Sequence, residues 1–141
     1  MYLLDTNVIS LFDPRRIERE SGIIEKLRRI DDQSFLSVLT LAEVEAGILK
    51  LDREDKRQRA QQLGVFRDGL ITHWSERILP ITTEIALIMA RIAERAPPAV
   101  VESIDLMIAA TASVHGYTVV TRNGKHFELT GVPWVDPSDL P

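Results

Sequence analysis

Three carboxylates and one amide stand close behind apolar runs or at helix starts. Asp5 follows Tyr2-Leu3-Leu4, Glu43 follows Phe35-Leu36-Ser37-Val38-Leu39, Asp105 follows Ser103-Ile104, and Asn123 follows Tyr117-Thr118-Val119-Val120. Carboxylates gathered in one place repel one another unless a cation or shared protons compensate. The chain has no Cys, and no His pair lies near these positions, so an oxygen-only donor set points to Mg2+ or Mn2+ rather than zinc. A hard divalent ion held this way acidifies water and neutralises charge on a phosphoryl group, which is the chemistry of metal-assisted phosphodiester hydrolysis. Each position also has a structural explanation. Asp5 can open a turn or cap a helix. Thr40-Leu41-Ala42-Glu43 reads as a capping box in which Glu43 reaches back to a free amide. Asp105 suits the first turn of a helix through the macrodipole, and Asn123 suits a left-handed turn before Gly124.

The elements that must position these residues alternate between short strands and helices. Tyr2-Leu3-Leu4, Phe35–Leu39, Ile78–Ile81 and Tyr117–Val120 read as buried strands, and Val132–Val135 as an edge strand tolerating Pro133. Helices are predicted over Val8–Phe12, ending near Pro14; Ile17–Ile30; Leu41–Leu49; Arg53 to Trp74; a stretch started by Thr82-Thr83-Glu84 and running to about Ala96, stopped by Pro97-Pro98; and Ile104–His115, capped by Ser103 and closed by Gly116. This alternation predicts a mostly parallel sheet covered on both faces, a three-layer α/β/α sandwich. In such a sheet, strand ends and helix starts share one edge, where ligands bind in α/β folds.

Composition limits the alternatives. A chain of 141 residues fits a single domain spanning 1–141 with room for a sizeable core. Absence of Cys removes disulfides, thiolate metal sites and a cysteine nucleophile. No signal-like start or membrane-length apolar run is visible, so the expected setting is soluble and cytoplasmic. Net charge is −4, from 17 Lys+Arg against 21 Asp+Glu, and does not by itself suggest a nucleic-acid partner. Divalent ions bound among the acids would invert the local field and admit a phosphate substrate. Basic residues gather at Arg15-Arg16, Lys26/Arg28/Arg29, Arg53/Lys56/Arg57/Arg59 and Arg122/Lys125, mostly interleaved with acids as on solvated helix faces.

Taken in order, four segments closely resemble PIN-domain nucleases: Leu3-Leu4-Asp5-Thr6-Asn7-Val8, Ser37-Val38-Leu39-Thr40-Leu41-Ala42-Glu43, Asp105-Leu106-Met107-Ile108-Ala109-Ala110-Thr111-Ala112, and Val120-Thr121-Arg122-Asn123 with Phe127. More narrowly, the chain is similar to the VapC toxin family of bacterial toxin–antitoxin modules, including its FitB-like members. The similarity continues to Gly131-Val132 and Val135-Asp136-Pro137.

This resemblance implies a Mg2+-dependent endoribonuclease, with Mn2+ as a substitute and tRNA or other structured RNA as a substrate. The family's acidic quartet falls on Asp5, Glu43 and Asp105, with Asn123 where many relatives carry Asp; Asn offers a carbonyl oxygen but no charge. Asp5 and Asp105 would hold the principal ion, and Glu43 would ligate it or orient a water. Thr6 and Thr121 are placed to hydrogen-bond a carboxylate or the scissile phosphate, or to act as turn and cap residues. His126, where relatives often have Asp, reads as a loop side chain; His73 and His115 read as structural. The resemblance further implies a cognate antitoxin packing its carboxyl-terminal segment over the groove, a homodimer, and hetero-oligomers that bind operator DNA. Leu63–Trp74 and Ile85–Ile92 are candidate contact surfaces or core.

Two other readings compete. A phosphoacceptor receiver domain needs an Asp behind the second strand and a later Lys, and Thr40 follows that strand here. A noncatalytic binding module of the same fold, acting with an antitoxin on operator DNA, would follow if Asn123 has cost the chain its hydrolytic activity.

Overall fold

A computed structural model describes residues 1–97 and 101–141. Its centre is a five-stranded, all-parallel sheet. Strand β1 (Tyr2–Leu4) is in the middle; β2 (Ser34–Ser37) and β3 (Ile78–Leu79) extend to one side, β4 (Thr118–Val120) and β5 (Trp134–Val135) to the other. Leu3 lies opposite both Phe35 and Val119, and Leu4 opposite Val120. The chain builds outward in one direction through β3 and then crosses to β4, so the strand order reverses between β1 and β4. A reversal of this kind opens a crevice at the carboxyl ends of the strands.

Side chains alternate across each strand and so divide the interior into two cores. Leu4, Leu36 and Val120 face a layer made of α1 (Thr6–Ile9), a 3-10 turn (Ser10–Phe12), α2 (Ser21–Arg29), α3 (Val38–Arg53) and α4 (Arg57–His73). Leu3 and Val119 face α5 (Thr83–Arg95), α6 (Ser103–His115) and α7 (Gly124–Glu128), meeting Ile85, Ile92, Leu106, Ile108 and Phe127. Each of these fully buried Leu or Ile side chains contributes about 1.5–3 kcal/mol of transfer free energy. The predicted α/β/α sandwich with a parallel sheet is the fold observed. No helix among the described residues is long and apolar enough to cross a membrane.

Several boundaries differ from the sequence reading, each for a local reason. Strand β2 ends at Ser37, and Val38 and Leu39 are already helical, because the Ser37 hydroxyl accepts a hydrogen bond from the Leu39 N–H at 3.1 Å and caps α3. The second helix starts at Ser21 rather than Ile17. Asp13 accepts the Arg15 N–H at 3.1 Å and its carbonyl accepts the Arg16 N–H at 2.8 Å, so a run of turns occupies the stretch before α2. The helix predicted from Leu41 to Leu49 continues to Arg53, and α4 begins separately at Arg57; Asp55, with φ 56, makes the reversal between them. Ser103 is the first residue of α6, with Glu102 at the cap position.

Other expected helix ends are present. The Thr82 hydroxyl caps α5 by accepting the Ile85 N–H at 3.2 Å. Helix α5 ends at Arg95, short of Pro97; Pro98, also expected to stop it, lies outside the described residues. Gly116 closes α6 at φ 71, a left-handed conformation that glycine adopts without steric cost.

Candidate active site

Asp5 is fixed by the sheet itself. Its N–H donates to the Val120 carbonyl at 3.0 Å, continuing the ladder one residue beyond β1, and its extended backbone then turns into α1. One carboxylate oxygen caps that helix, accepting the Thr6 N–H at 2.8 Å. The other accepts the Thr121 hydroxyl at 2.8 Å from the end of β4. Capping and site roles therefore fall on the same side chain. The buried Thr121 hydroxyl also accepts the Asn123 N–H at 3.0 Å, which couples the β1 and β4 termini.

Glu43 does not form the expected capping box. The cap of α3 is Ser37, Thr40 is buried within the first turn, and Glu43 lies a turn further on. Its carboxylate instead accepts the Thr6 hydroxyl at 2.6 Å, and Thr6 Oγ1 lies 3.2 Å from Thr40 Oγ1. Thr6 and Thr121 thus each hold a carboxylate. Asp105, buried in the first turn of α6, lies 2.7 Å through Oδ2 from His126 Nδ1. His126 is accordingly not a loop side chain: it stands on α7 and faces Asp105. Among the other histidines, His73 pairs with Asp31 at 2.8 Å and His115 stacks on Tyr117, as expected of structural residues.

Asn123 precedes α7 with φ −103 and ψ 47, so it is not in the left-handed region expected for a turn before glycine. Gly124 is required for a different reason. The Trp134 ring lies against it so closely that a Cβ would meet ring carbon at 2.2 Å. This contact seats α7 against β5 and so sets the position of Asn123 and His126.

Asp5, Glu43, Asp105 and Asn123, distant in sequence, line one cleft of about 300 Å³ at the β1/β4 crevice. Asn7, Glu102 and His126 line it too. The sequence reading missed Asn7 and Glu102. Asn7 Nδ2 lies 3.4 Å from Thr121 Oγ1 and its Oδ1 accepts the Arg122 N–H at 3.3 Å. Glu102 had a signal, an acid just before a helix, but such acids are common there.

Burial pushes the Asp5 carboxyl up to about 6, against the lowering effect of the Thr121 hydrogen bond; the negative charge of Asp105 raises it further, the Thr6 N–H lowers it, and Glu43 raises it. Among the described residues, no Lys or Arg pairs with Asp5, Glu43 or Asp105. No group of three or more His, Asp or Glu side chains among the described residues is arranged to hold an ion by itself. Mg2+ ordinarily takes only one or two protein carboxylates and keeps several waters. An oxygen-rich cleft whose buried Asp5 is paired with no Lys, Arg or His among the described residues fits that mode of binding.

The PIN domain family matches residues 2–132, and the chain belongs to it. The chain is 34% identical to the plasmid stability protein StbB of Pseudomonas syringae pv. tomato, with 97% of this chain and 98% of that protein covered. It is 33% identical to toxin FitB of Neisseria gonorrhoeae over 96% of this chain and all of that protein (100%), and 27% identical to the VapC ribonuclease Y4jK of Sinorhizobium fredii over 97% of each. The crystal structure of FitAcB from Neisseria gonorrhoeae superposes with a TM-score of 0.76 at 33% identity, covering 99% of this chain and 100% of that one. FitAB bound to an IR36 DNA fragment gives 0.75 at 32% identity, covering 100% and 98%. The similarity to PIN-domain, FitB-like toxins seen in the sequence is therefore borne out over the whole fold.

Proposed function

We propose that this protein is a Mg2+-dependent endoribonuclease and the toxin of a toxin–antitoxin module. The observation that carries this reading is the convergence of Asp5, Glu43 and Asp105 from three separate segments into one cleft, with no Lys or Arg among the described residues paired to any of them. The VapC ribonuclease relatives support the reaction class. Asp5 and Asp105 would hold the ion. When bound, Mg2+ supplies an acidified water and charge neutralisation on the phosphodiester.

The chain's own residues do the positioning. Thr121 and the Thr6 N–H fix both oxygens of Asp5, and His126 fixes one oxygen of Asp105. Glu43 is held by the Thr6 hydroxyl through one oxygen, which leaves the other to orient a water against the scissile phosphate. Asn123 contributes a neutral carbonyl oxygen at the fourth position.

The partner we propose is a cognate antitoxin, as in the FitAB complexes. Phe12, Phe66, Leu70 and Trp74 line a largely apolar hollow of about 410 Å³ on the face of α4, within the stretch marked from sequence as a contact surface. An antitoxin segment seated there, carrying an Arg toward the acidic cleft, would pair with the carboxylates in place of the ion. We further propose a cytoplasmic homodimer assembling with antitoxin.

A second reading has a specific observation in its favour. Asn123 removes one charge from the cleft, which suits a noncatalytic PIN-fold module acting with an antitoxin on operator DNA, as FitAB binds DNA. Incubating the purified chain with tRNA and other structured RNA in Mg2+ or Mn2+ tests both. Cleavage that stops with a chelator and in Asp105→Asn supports the nuclease; no cleavage in either metal supports the module.

A further inference from the structure

Beside the acidic cleft, Arg15, Arg16, Arg19 and Arg59 line a second hollow of about 590 Å³. Ser10 lines both, and a small, mostly apolar recess of Thr6, Val44, Gly47, Leu63 and Phe66 adjoins them, sharing Glu43 with the acidic cleft and Asp13, paired with Arg59, with the arginine hollow. The surface therefore runs from carboxylates, over an apolar floor, to guanidinium groups.

The arginine-bearing segment is pinned at both ends. At one end, Arg59 from α4 forms an ion pair with the buried Asp13. Burial raises the Asp13 carboxyl, yet its hydrogen bonds from Arg59 and the Arg15 N–H, with the charges of both arginines, hold it below the ordinary carboxylate value. At the other end, Glu20 pairs with Arg122 at 3.1 Å, beside the end of β4. These two ion pairs use Arg59 and Arg122 structurally. The three arginines between them, Arg15, Arg16 and Arg19, are exposed and have no carboxylate partner among the described residues. Arg16 donates instead to Ser10 Oγ at 3.1 Å, which points its guanidinium along the rim shared with the acidic cleft.

Unpaired guanidinium groups held on a braced turn, in a chain of net charge −4, make a local anion site on an otherwise acidic molecule. An acidic peptide would meet repulsion on passing from this hollow to Glu43 and Asp5. A nucleic-acid strand fits both ends and the floor between them: the ion that Asp5 and Asp105 would hold would offset the charge of one phosphate, a neighbouring phosphate would take the guanidinium groups, and the intervening ribose or base would lie on the apolar floor, for which an acidic peptide has no counterpart. We infer that Arg15, Arg16 and Arg19 form a binding site for the RNA backbone next to the scissile linkage and set the path by which the substrate strand leaves the acidic cleft. This rests on the ribonuclease reading and adds to it where the strand lies.

Glutamine substitutions test the site singly (Arg16→Gln) and together (Arg15→Gln, Arg16→Gln, Arg19→Gln), with Arg53→Gln on the end of α3 as a control. Three readouts are needed: KM for cleavage of a single-stranded RNA in Mg2+; affinity for the same RNA, with cleavage blocked by Ca2+, as a function of salt; and affinity for the antitoxin. The triple variant is expected to raise KM about tenfold and to lower the salt slope of binding by roughly 2, about 0.7 for each lost phosphate contact on a single strand. Arg53→Gln should change neither. Unchanged KM and salt slope in the triple variant, with RNA still cleaved, overturn the inference and leave the ribonuclease intact. Loss of antitoxin affinity with RNA binding unchanged overturns it as well, assigning the hollow to the protein partner. If the wild type binds RNA through these arginines yet cleaves none, the backbone site stands and the ribonuclease reading fails.

Discussion

The buried Asp5 carboxyl joins the electrostatics of the site to the stability of the fold. Its pKa is raised from 3.8 to about 6, so the folded protein binds this proton more tightly than the unfolded chain does. The resulting stabilisation is fully present below about pH 4 and is lost as pH rises through about 6, so a metal-free protein at neutral pH carries the cost of a buried anion. Asp5→Asn keeps an acceptor for the Thr6 N–H and removes that charge. The expected outcome is a metal-free protein more stable at pH 7.5 by on the order of 1–3 kcal/mol, with no gain at pH 4. Thermal unfolding in a chelator at the two pH values measures the difference, and the same variant should cleave no RNA in Mg2+. Glu43 gives the complementary case. Because it is not a cap, Glu43→Gln should leave stability within roughly 0.5 kcal/mol of wild type while cutting the cleavage rate by tenfold or more. Urea unfolding beside a single-turnover assay checks this pair of outcomes; a large stability loss with normal cleavage would restore the capping role.

At the scale of elements, helix α3 shows how far local pattern reaches. Ser37 and Thr40 are both competent caps, and the sequence signature with Glu43 favours Thr40. Register decides for Ser37, because β2 pairs with β3 only as far as Ser37 and the chain must turn there. Ser37→Ala should therefore cost about 1 kcal/mol, and Thr40→Ser, within the helix, should not resemble it; denaturant midpoints separate the two. The apolar strands, the start of α5 around Thr82-Thr83-Glu84 and the close of α6 at Gly116 were legible because each signal is contained in a few adjacent residues. The pairing of His126 with Asp105, and the need for Gly124, were not. Both depend on residues brought together by the fold, Asp105 from α6 and Trp134 from β5. Gly124→Ala should thus cost about 1–3 kcal/mol by forcing the Trp134 ring aside, and the displacement of α7 should lower cleavage more than stability alone explains. Tryptophan fluorescence together with the activity of the folded fraction reports both effects.

For the whole molecule, the sheet order separates the acidic cleft from the apolar hollow. The β1/β4 reversal brings the acids to one edge, while the layer of α1 to α4 carries the apolar hollow of Phe12, Phe66, Leu70 and Trp74 away from them. None of the cleft's acids lines that hollow, so a partner seated there can be weakened without touching the carboxylates. Gly69 offers a clean handle. It is exposed on α4, lines the hollow, and a Cβ built on it meets nothing within 4 Å. Gly69→Glu adds a charge to an apolar surface without disturbing the core beneath, and Ala or Glu in place of Gly within a helix is not itself destabilising. If the antitoxin docks on α4, this variant should bind it at least tenfold more weakly, since desolvating a carboxylate costs several kcal/mol, only part of which Arg28 and His73 at the same hollow would return. Its cleavage of RNA in the absence of antitoxin should match wild type, and adding antitoxin should no longer suppress it. Calorimetric titration with the antitoxin, run beside the cleavage assay, measures the two properties independently; undiminished affinity would move the partner's seat off α4, toward the other contact surface marked from sequence, Ile85–Ile92 on α5.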